Sequence, residues 1–344
     1  MTIKQIGFGK SMIQSYAQTN IGQRKVNEDS FLINEELGLY VVADGVGGMA
    51  KGEVASQMAC EVILQNIQDG MPLEESVYLA HRKLINEIKS DENKQGMATT
   101  VVAVLFHDNS YEVAWVGDSR VYLWDGELKL LTKDDSYVEL LLENGHIGIE
   151  ELETHPDRNV ISQALGIERK NIAIHTNSGT LEKDQILLLC SDGLYGVANE
   201  LNIIESLQGN NDIARTTPEL VELAVKKQGK DNITLISLKS NEDSVNSIEP
   251  KVFREFEPET GKIKGIEKKD HTISTYLNQE LSEEETDPEL IDQTAYRDLT
   301  QENRDLLDSA AQYSSEEEEK ESNKYLIPAL LGVILMLVGF ILLK

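Results

Sequence analysis

Cysteine and basic residues are both scarce in this sequence. Its 344 residues include only two cysteines, Cys60 and Cys190, each among apolar neighbours. This is typical of small core residues in a reducing compartment and excludes a disulfide framework. Only 32 lysines and arginines accompany 60 acidic residues, which gives a formal net charge of -28. Because nucleic-acid binding depends on basic side chains that neutralise phosphates, the charge argues against a general DNA- or RNA-binding protein.

The first 14 residues lack the apolar stretch of a secretory signal peptide, so the sequence predicts no export. Residues 325–343, in contrast, form an uncharged run of 19 residues, close to the roughly 20 that a helix needs to cross a bilayer. A buried helix of a soluble domain, or an oligomer contact, is the alternative. Lys320 and Lys324 precede the run and favour a cytoplasmic position for the chain before it. We expect a single C-terminal anchor that holds the protein at the cytoplasmic face of the cell membrane.

Acidic residues are concentrated between residues 241 and 324. This stretch has 24 acidic and 10 basic residues, whereas the much longer stretch 1–240 has 36 and 21. Such a composition buries too little apolar surface to offset chain entropy, so we expect a mostly disordered linker. Within it, the segment KVFREFEPETGKI (251–263) alternates weakly, which fits either a docking or regulatory segment or an incidental pattern. The expected organisation is a domain at 1–240, the linker 241–324 and a transmembrane helix 325–343.

Residues 1–240 contain short apolar runs of strand length and composition. The runs are 39–43, 100–106, 111–116, 121–124, 186–190 and 233–238. The pair Asp125-Gly126 follows one of these runs and is a hairpin signal, which favours antiparallel pairing.

Two stretches have apolar residues at helical spacing, one at residues 54–63 and one at residues 73–88. Each presents one apolar stripe, so both helices are expected to cover a sheet. A later helix is expected to begin with Thr217 as its cap and Pro218 in its first turn, and to stop at Gly229. Antiparallel strands beneath long helices predict an α+β layered sandwich.

Acidic residues lie at the ends of the predicted strands, where side chains from different strands can converge at one rim of a sheet. They are Asp44 after LYVVA, Asp118 after AWVG, Asp192 after ILLLCS, Asp231 before NITLISL, and Glu28 and Asp29 before SFLI. Carboxylates without His or Cys are the ligand set of Mg²⁺ or Mn²⁺. Two such ions lower the pKa of a shared water and clamp an in-line displacement at phosphorus. A single aspartate before glycine is typically a turn residue or a helix cap, but the whole set favours a metal centre.

Seven ordered motifs between residues 24 and 232 resemble those of the PPM-type (type 2C) metal-dependent protein serine/threonine phosphatases, particularly the bacterial ones. The motifs are RKVNEDS, VADGVGG, GMATTV, VGDSR, HPDRNVISQALG, LLCSDGL and GKDNIT. The resemblance covers nearly all of the first 240 residues and nothing after them. It implies a four-layer α/β/β/α sandwich of two antiparallel sheets flanked by helices. It also implies a binuclear Mg²⁺ or Mn²⁺ centre that hydrolyses phosphoserine and phosphothreonine.

The resemblance implies a role for each residue of the predicted centre. Asp44 bridges the two ions, and the carbonyl of Gly45 binds one of them. Asp192 and Asp231 hold the other ion, while Glu28 acts on the second one directly or through water. Asp44 and Asp192 are therefore expected to be catalytic as well as metal-binding.

Two further residues match positions outside the binuclear pair. Asp118 matches the acidic residue that binds a third, more weakly held ion together with Asp192 in bacterial relatives. Arg24 matches the catalytic residue that grips the substrate phosphate, a role that suits the planar fork of arginine. The alternative for Arg24 is a solvated surface arginine.

The sequence departs from the family pattern at two positions. Many eukaryotic members have a histidine, proposed as the leaving-group acid, where this chain has Val46, so a metal-bound water is the default proton donor. Asp135 replaces the histidine of the TxDHS motif, here TKDDS, and leaves the fine structure of the following flap open. The flap, roughly 133–165, is expected to shape substrate access, and His155 to organise it.

We expect an enzyme that hydrolyses phosphoserine and phosphothreonine by attack of a metal-activated water. Its expected partners are phosphorylated proteins and opposing serine/threonine kinases, with no nucleic acid. Two other classes stay open: a catalytically inactive relative that acts as a membrane-held binding module, and another two-metal hydrolase such as a phosphodiesterase or nuclease. Loss of metal dependence would favour the first, and cleavage of diesters but not monoesters would favour the second.

Overall fold

The computed structural model describes residues 2–4, 13–46, 51–152, 154–167, 172–209, 212–242 and 247–264. The membrane segment predicted at 325–343 and most of the predicted linker lie outside these ranges. Within them, no helix is both long enough and apolar enough to cross a membrane.

The described residues form thirteen strands and six α-helices. In chain order the strands are β1 (Thr2–Lys4), β2 (Ile13–Asn20), β3 (Asp29–Asn34), β4 (Leu39–Val46), β5 (Ala98–Thr99), β6 (Val101–His107), β7 (Ser110–Val116), β8 (Arg120–Trp124), β9 (Leu128–Leu130), β10 (His175–Thr180), β11 (Ile186–Cys190), β12 (Ile233–Ser240) and β13 (Arg254–Phe256). The helices are α1 (Lys51–Gln68), α2 (Leu73–Ser90), α3 (Tyr137–Glu143), α4 (Asp192–Tyr195), α5 (Glu200–Gly209) and α6 (Ile213–Lys226), with short 3₁₀ turns at Glu92–Lys94 and Ile149–Glu151.

These strands pair into two antiparallel sheets. One has the order β1-β2-β12-β11-β8-β9-β13, and the other has the order β10-β7-β6-β4-β3, with β5 paired to the end of β4. Strand β11 is central to the first sheet, where Cys190 is the partner of Leu235 on one side and of Arg120 on the other. The predicted hairpin is confirmed, since β8 and β9 pair antiparallel around Asp125 and Gly126.

The apolar side chains of the two sheets and their helices form three buried layers. The layer between the sheets contains Tyr40, Trp115 and Leu189, all at most 1% exposed. A second layer packs α1 and α2 on the outer face of the β4 sheet, and a third packs α5 and α6 on the outer face of the β11 sheet. Because helices close both outer faces, the predicted α/β/β/α order of layers is confirmed.

Helix α6 begins earlier than the sequence predicts. Its cap is Asp212, whose Oδ1 accepts from the backbone N–H of Ala214 at 3.0 Å, and the helix runs through Thr217 and Pro218. Thr217 is buried and donates its hydroxyl to Ser237 on β12 at 2.6 Å. The correction has a simple cause, because an Asp cap satisfies the first N–H groups one turn before the Thr-Pro pair is reached.

The compact unit also extends beyond residue 240, the boundary predicted from composition. It runs from residue 1 to 266, and strand β13 adds to the edge of the β11 sheet beside β9. Residues 251–263, whose weak alternation fits either a docking or regulatory segment or an incidental pattern in the linker, include Phe256, which is only 2% exposed. The alternation seen in the sequence therefore corresponds to apolar residues that pack against a sheet edge, and the acidic composition of the whole linker does not describe this segment.

Candidate metal centre

The predicted metal ligands meet at one rim of the sandwich. Asp44 lies near the end of β4, Asp118 just after β7, and Asp192 at the start of α4 directly after β11. Asp231 precedes β12, and Glu28 precedes β3. The charges of Asp118, Asp192 and Asp231 all act on the buried carboxyl group of Asp44. The structure therefore brings together carboxylates that lie at the ends of separate strands in the sequence.

Asp29 ties the two sheets together beneath this rim. Its Oδ2 accepts hydrogen bonds from Ser191 Oγ at 2.8 Å and from Thr234 Oγ1 at 2.6 Å, while its backbone pairs with that of Asp44. Asp29 is 7% exposed. The sequence places it in the acidic set at the strand ends, but the family resemblance gives it no ligand role. The NEDS motif contains the signal, since Glu28 precedes β3 and Asp29 is its first residue, and adjacent side chains at a strand point to opposite sides.

Burial and mutual repulsion raise the pKa values of four carboxyl groups here. Burial is the largest cause in each case, and the charges of neighbouring aspartates add to it. The pKa of Asp29 rises to about 6 and that of Asp192 to about 7. For Asp44 and Asp118, the pKa lies well above its ordinary value. A concentration of negative charge this strong favours the binding of a cation.

Gly45, near the end of β4, and Glu28, just before β3, lie next to the first turn of α1. Gly45 donates its N–H to the Glu28 carbonyl at 3.1 Å, and Glu28 Oε1 accepts from the N–H of Gly52 at 3.1 Å. A Cβ on Gly45 would lie 2.1 Å from the Gly52 carbonyl oxygen, so only glycine fits. Glu28 thus sits at the N-terminal end of α1, where the helix dipole favours a carboxylate.

Arg24, the predicted phosphate-binding residue, reaches the centre through Asp231. Its Nε and Nη2 donate to the two Asp231 oxygens at 2.9 and 2.6 Å in a bidentate pair. The side chain of Arg24 is 53% exposed, so the guanidinium stands at the mouth of the site rather than inside it. The same fork that holds this carboxylate matches the geometry of a phosphate group.

Asn232, next to Asp231, organises the loops around Glu28 and is not among the residues predicted from the sequence. Its Oδ1 accepts from the backbone N–H of Glu28 at 2.8 Å, and its Nδ2 donates to the carbonyls of Ile21 and Val26, each at 3.0 Å. The side chain is buried, at 3% exposure. The DN pair of GKDNIT is its sequence signal, because an amide can satisfy several backbone groups of a crossing loop.

Two polar side chains, Tyr195 and Arg120, hold the loop of Asp118 in place. Tyr195 donates its hydroxyl to the Asp118 carbonyl at 2.9 Å, and the Arg120 guanidinium lies 3.7 Å from the centre of the Tyr195 ring. Arg120 also pairs with Asp134 and Glu200. No local sequence pattern indicates that the arginine of VGDSR is a buried structural residue.

Asp135, the departure from the family motif, fixes the base of the flap. Its Oδ2 accepts from the Gly117 N–H at 2.8 Å and from Gln163 Nε2 at 2.7 Å, and its Oδ1 lies 2.8 Å from His175 Nε2. The His175 ring stacks on Trp115 with centroids 5.2 Å apart. The Asp135 carboxylate therefore accepts a hydrogen bond that connects the two ends of the flap, at Asp135 and Gln163.

The structure also locates Val46, the second departure from the family motifs, and His155, the histidine of the flap. Val46 is paired with Ala98 in the short β4–β5 ladder, so no acid stands at the position of the family histidine. His155 Nδ1 accepts from the backbone N–H of Asp157 at 3.1 Å, and its ring meets Tyr137 edge-on. These contacts lie within the flap, as expected for a residue that organises it.

The donor set fits a hard divalent cation in its chemistry. Oxygen ligands without His or Cys suit Mg²⁺ and Mn²⁺. Oδ1 of Asp192 and Oδ1 of Asp29 are buried without a hydrogen-bond partner among the described residues, which is costly unless another group binds them. Among the described side chains, however, no three His, Cys, Asp or Glu residues are arranged so that they could hold an ion as they stand. Asp231 faces Arg24, so ion binding would require at least this carboxylate to turn inward.

The sequence matches a family model described as protein phosphatase 2C over residues 18–235. It is 36% identical over 222 residues to the serine/threonine protein phosphatase PstP of Mycobacterium tuberculosis. This alignment covers 62% of this chain and 42% of that protein. It is 33% identical over 227 residues to the serine/threonine phosphatase stp of Listeria monocytogenes, covering 62% and 90%. The chain thus spans less than half of the mycobacterial protein and most of the listerial one.

The fold is also similar to that of a solved structure. It is described as the catalytic domain of the serine threonine protein phosphatase PstP in complex with two manganese ions. The TM-score is 0.58 at 32% sequence identity, and the match covers 66% of this chain and 97% of that one.

Proposed function

The chain belongs to the protein phosphatase 2C family, and on this premise we propose that it hydrolyses phosphoserine and phosphothreonine in proteins with the help of two Mg²⁺ or Mn²⁺ ions. The observation that carries the proposal is the cluster of buried carboxylates around Asp44, at the rim where both sheets end. The two manganese ions of the PstP catalytic domain support the choice of cofactor.

The residues that would hold these ions all contribute oxygen atoms at the rim. They are Asp44, Asp192, Asp231, Glu28 and the carbonyl of Gly45, with Asp118 beside Asp192 for a third, weaker ion. When bound, such ions supply an activated water and positive charge that stabilises the transition state at phosphorus. The buried Oδ1 of Asp192, which has no hydrogen-bond partner in the part of the chain that the structure describes, is the clearest candidate ligand atom.

Arg24 orients the substrate in this scheme. Its exposed guanidinium stands beside Asp231 at the mouth of the site and presents two parallel N–H groups. Two oxygens of a phosphate monoester can take the place of the two carboxylate oxygens, which aligns phosphorus above the cluster. Asp231, once released from Arg24, would be available as an ion ligand.

The test is phosphate release from a phosphothreonine peptide by the full chain, in Mn²⁺ and in EDTA, beside Asp192→Asn. We expect activity only in Mn²⁺, and a loss of at least about 100-fold in the variant, because the ions contribute several kcal/mol of transition-state stabilisation. Glu222→Gln, an exposed acidic residue on α6, is the matched control. Equal rates in EDTA, or from a folded Asp192→Asn protein, would refute the proposal and favour a binding module.

We also propose that residues 325–343 hold the enzyme at the cytoplasmic face of the cell membrane. The support is the uncharged run itself, with Lys320 and Lys324 before it. The full chain should float with liposomes, whereas a variant with both Ile334→Lys and Leu335→Lys should not, because each charge at the centre of a span costs about 3 kcal/mol. Flotation of both proteins to the same extent would count against the anchor.

A membrane position would favour substrates at the same surface, where the enzyme would oppose serine/threonine kinases. A flexible acidic tether confines the domain near the bilayer and raises its effective concentration there. On liposomes, the full chain should dephosphorylate a liposome-bound phosphoprotein faster than a soluble one, and the double-lysine variant should lose this difference. A difference that persists in the variant would show that the anchor does not direct substrate choice.

A further inference from the structure

The segment 247–264, here called the strap, is built into the catalytic domain beyond the last strand of the family match. Its backbone forms hydrogen bonds with the edges of both sheets: the Thr180 N–H donates to the Ile248 carbonyl at 2.9 Å, and the Phe253 N–H to the Leu130 carbonyl at 2.9 Å. Asn177 bonds both the N–H and the carbonyl of Lys251, at 3.0 and 2.8 Å. The strap therefore closes an edge that would otherwise expose unpaired backbone groups.

Two aromatic side chains anchor the strap. Phe253 meets Trp115 edge-on, with ring centroids 5.9 Å apart, and Phe256 lies 6.3 Å from the ring of Tyr122. Phe256 is 2% exposed and belongs to the core beneath α5 and α6. Because these rings bury a large apolar area, the strap is a fixed part of the domain surface.

Arg254, between the two rings, reaches across to the flap. Its guanidinium pairs with the carboxylate of Glu139 on α3, and the side chains of the two residues are only 9% and 5% exposed. A buried ion pair is sensitive to geometry, because the loss of either partner leaves an uncompensated charge away from water. Ser136 caps α3 just before Glu139, so the pair acts close to the base of the flap.

Part of the flap faces the strap across a space that is open to solvent. A cavity of about 190 Å³ lies there, lined by Arg254, Phe256 and Ile263 from the strap and by Glu139 and Leu152 from the flap. The Arg254–Glu139 ion pair connects the flap to the strap beside this cavity.

We propose that Arg254 is a positioning residue for the flap: through Glu139 it sets the orientation of α3 and thereby selects large protein substrates over small phosphate esters. The link to substrate choice rests on the proposed phosphatase function. The effect on the flap itself does not. A segment that lies outside the family match would thus contribute to the specificity of the site.

The first test is amide hydrogen exchange of the full chain. Arg254→Glu places two buried negative charges face to face, so exchange in residues 137–152 should accelerate at least about tenfold, and the swapped pair Arg254→Glu/Glu139→Arg should restore most of the protection. Arg215→Ala, which removes an exposed ion pair on α6, is the control. Exchange in Arg254→Glu equal to that in Arg215→Ala would overturn the proposal. If Arg254→Glu alone does not fold, failure of the swapped pair to recover a protected flap would overturn it.

The second test separates KM from kcat. For Arg254→Glu, the KM for a phosphorylated protein should rise at least about fivefold, while kcat/KM for p-nitrophenyl phosphate stays within about twofold, because only large substrates touch the flap. Equal KM values for the phosphoprotein in wild type and variant would overturn the role in substrate choice. Absence of any hydrolysis by the wild-type chain would instead refute the proposed function, and the exchange experiment would still decide whether Arg254 positions the flap.

Discussion

Arg120 is the residue whose removal we expect to destabilise the domain most strongly. Its guanidinium pairs with Asp134 at 2.7 Å and with Glu200 at 3.0 Å, and the exposed fractions of the three side chains are 14%, 9% and 7%. The same group lies over the Tyr195 ring and donates to the hydroxyl of Tyr122. Arg120→Met keeps much of the side-chain volume but leaves two buried carboxylates without their counterion.

The expected cost follows from the loss of one partner in a buried charge network. Breaking such a network costs about 3–5 kcal/mol, since the remaining charges stay buried and unpaired. For a domain of this size, 1 kcal/mol corresponds to roughly 2–4 °C in Tm, so the expected fall in Tm is roughly 6–20 °C. An exposed pair behaves differently. Arg215→Ala removes an ion pair whose side chains are 69% and 48% exposed, and it should cost at most about 0.5 kcal/mol.

The assay is urea unfolding at neutral pH, followed by circular dichroism, with Mn²⁺ present in every sample. Arg120→Met and Arg215→Ala carry the same change of one charge, so a difference between them reports burial rather than net charge. A loss below about 1 kcal/mol in Arg120→Met would show that the buried carboxylates find other partners, and the reasoning from burial would fail.

Three further predictions follow from the site and the core. Gly45→Ala should lower activity at least about tenfold, because its Cβ cannot fit beside the α1 backbone; wild-type activity would refute this. In EDTA, the free energy of unfolding should fall as the pH rises from about 4 to about 8, because the protonated forms of Asp29 and Asp192 favour the folded state. The raised pKa of Asp29 alone corresponds to a contribution on the order of 3 kcal/mol. Urea titrations that give the same free energy across this pH range would contradict the prediction. Cys60 and Cys190 are buried, and burial raises the pKa of both thiols, so a thiol reagent should label them only after unfolding.

The strands that the sequence predicts are those with continuous apolar runs. Strand β11 coincides with its run, and β12 extends its run by two residues, because both lie in the centre of a sheet where nearly every side chain is buried. Strands β2 and β10 are not predicted. Their sequences, IQSYAQTN and HTNSGT, are largely polar, since β2 is partly exposed and β10 lies at a sheet edge, where backbone pairing rather than apolar burial holds the strand.

In the metal centre, too, the sequence locates some residues and not others. The ends of apolar strands and the order of the motifs are enough to locate Asp44, Asp192 and Asp231 in the sequence. The residues that hold these carboxylates in place are harder to find. Arg120 follows no local pattern, and the DN pair that marks Asn232 does not indicate which groups it binds. Their partners are distant in sequence, as with Arg120 and Glu200, which are 80 residues apart. Long-range pairs of this kind depend on the finished packing of two sheets.

The most direct test of the central claim is the number of Mn²⁺ ions bound per chain, measured by equilibrium dialysis on the wild-type protein and on folded Asp44→Asn. If the carboxylates around Asp44 form a binuclear centre, the wild type should bind two ions tightly, with a third only at higher concentration, and the variant should bind fewer than one. Equal binding by the two proteins, or no saturable binding by the wild type, would contradict the account.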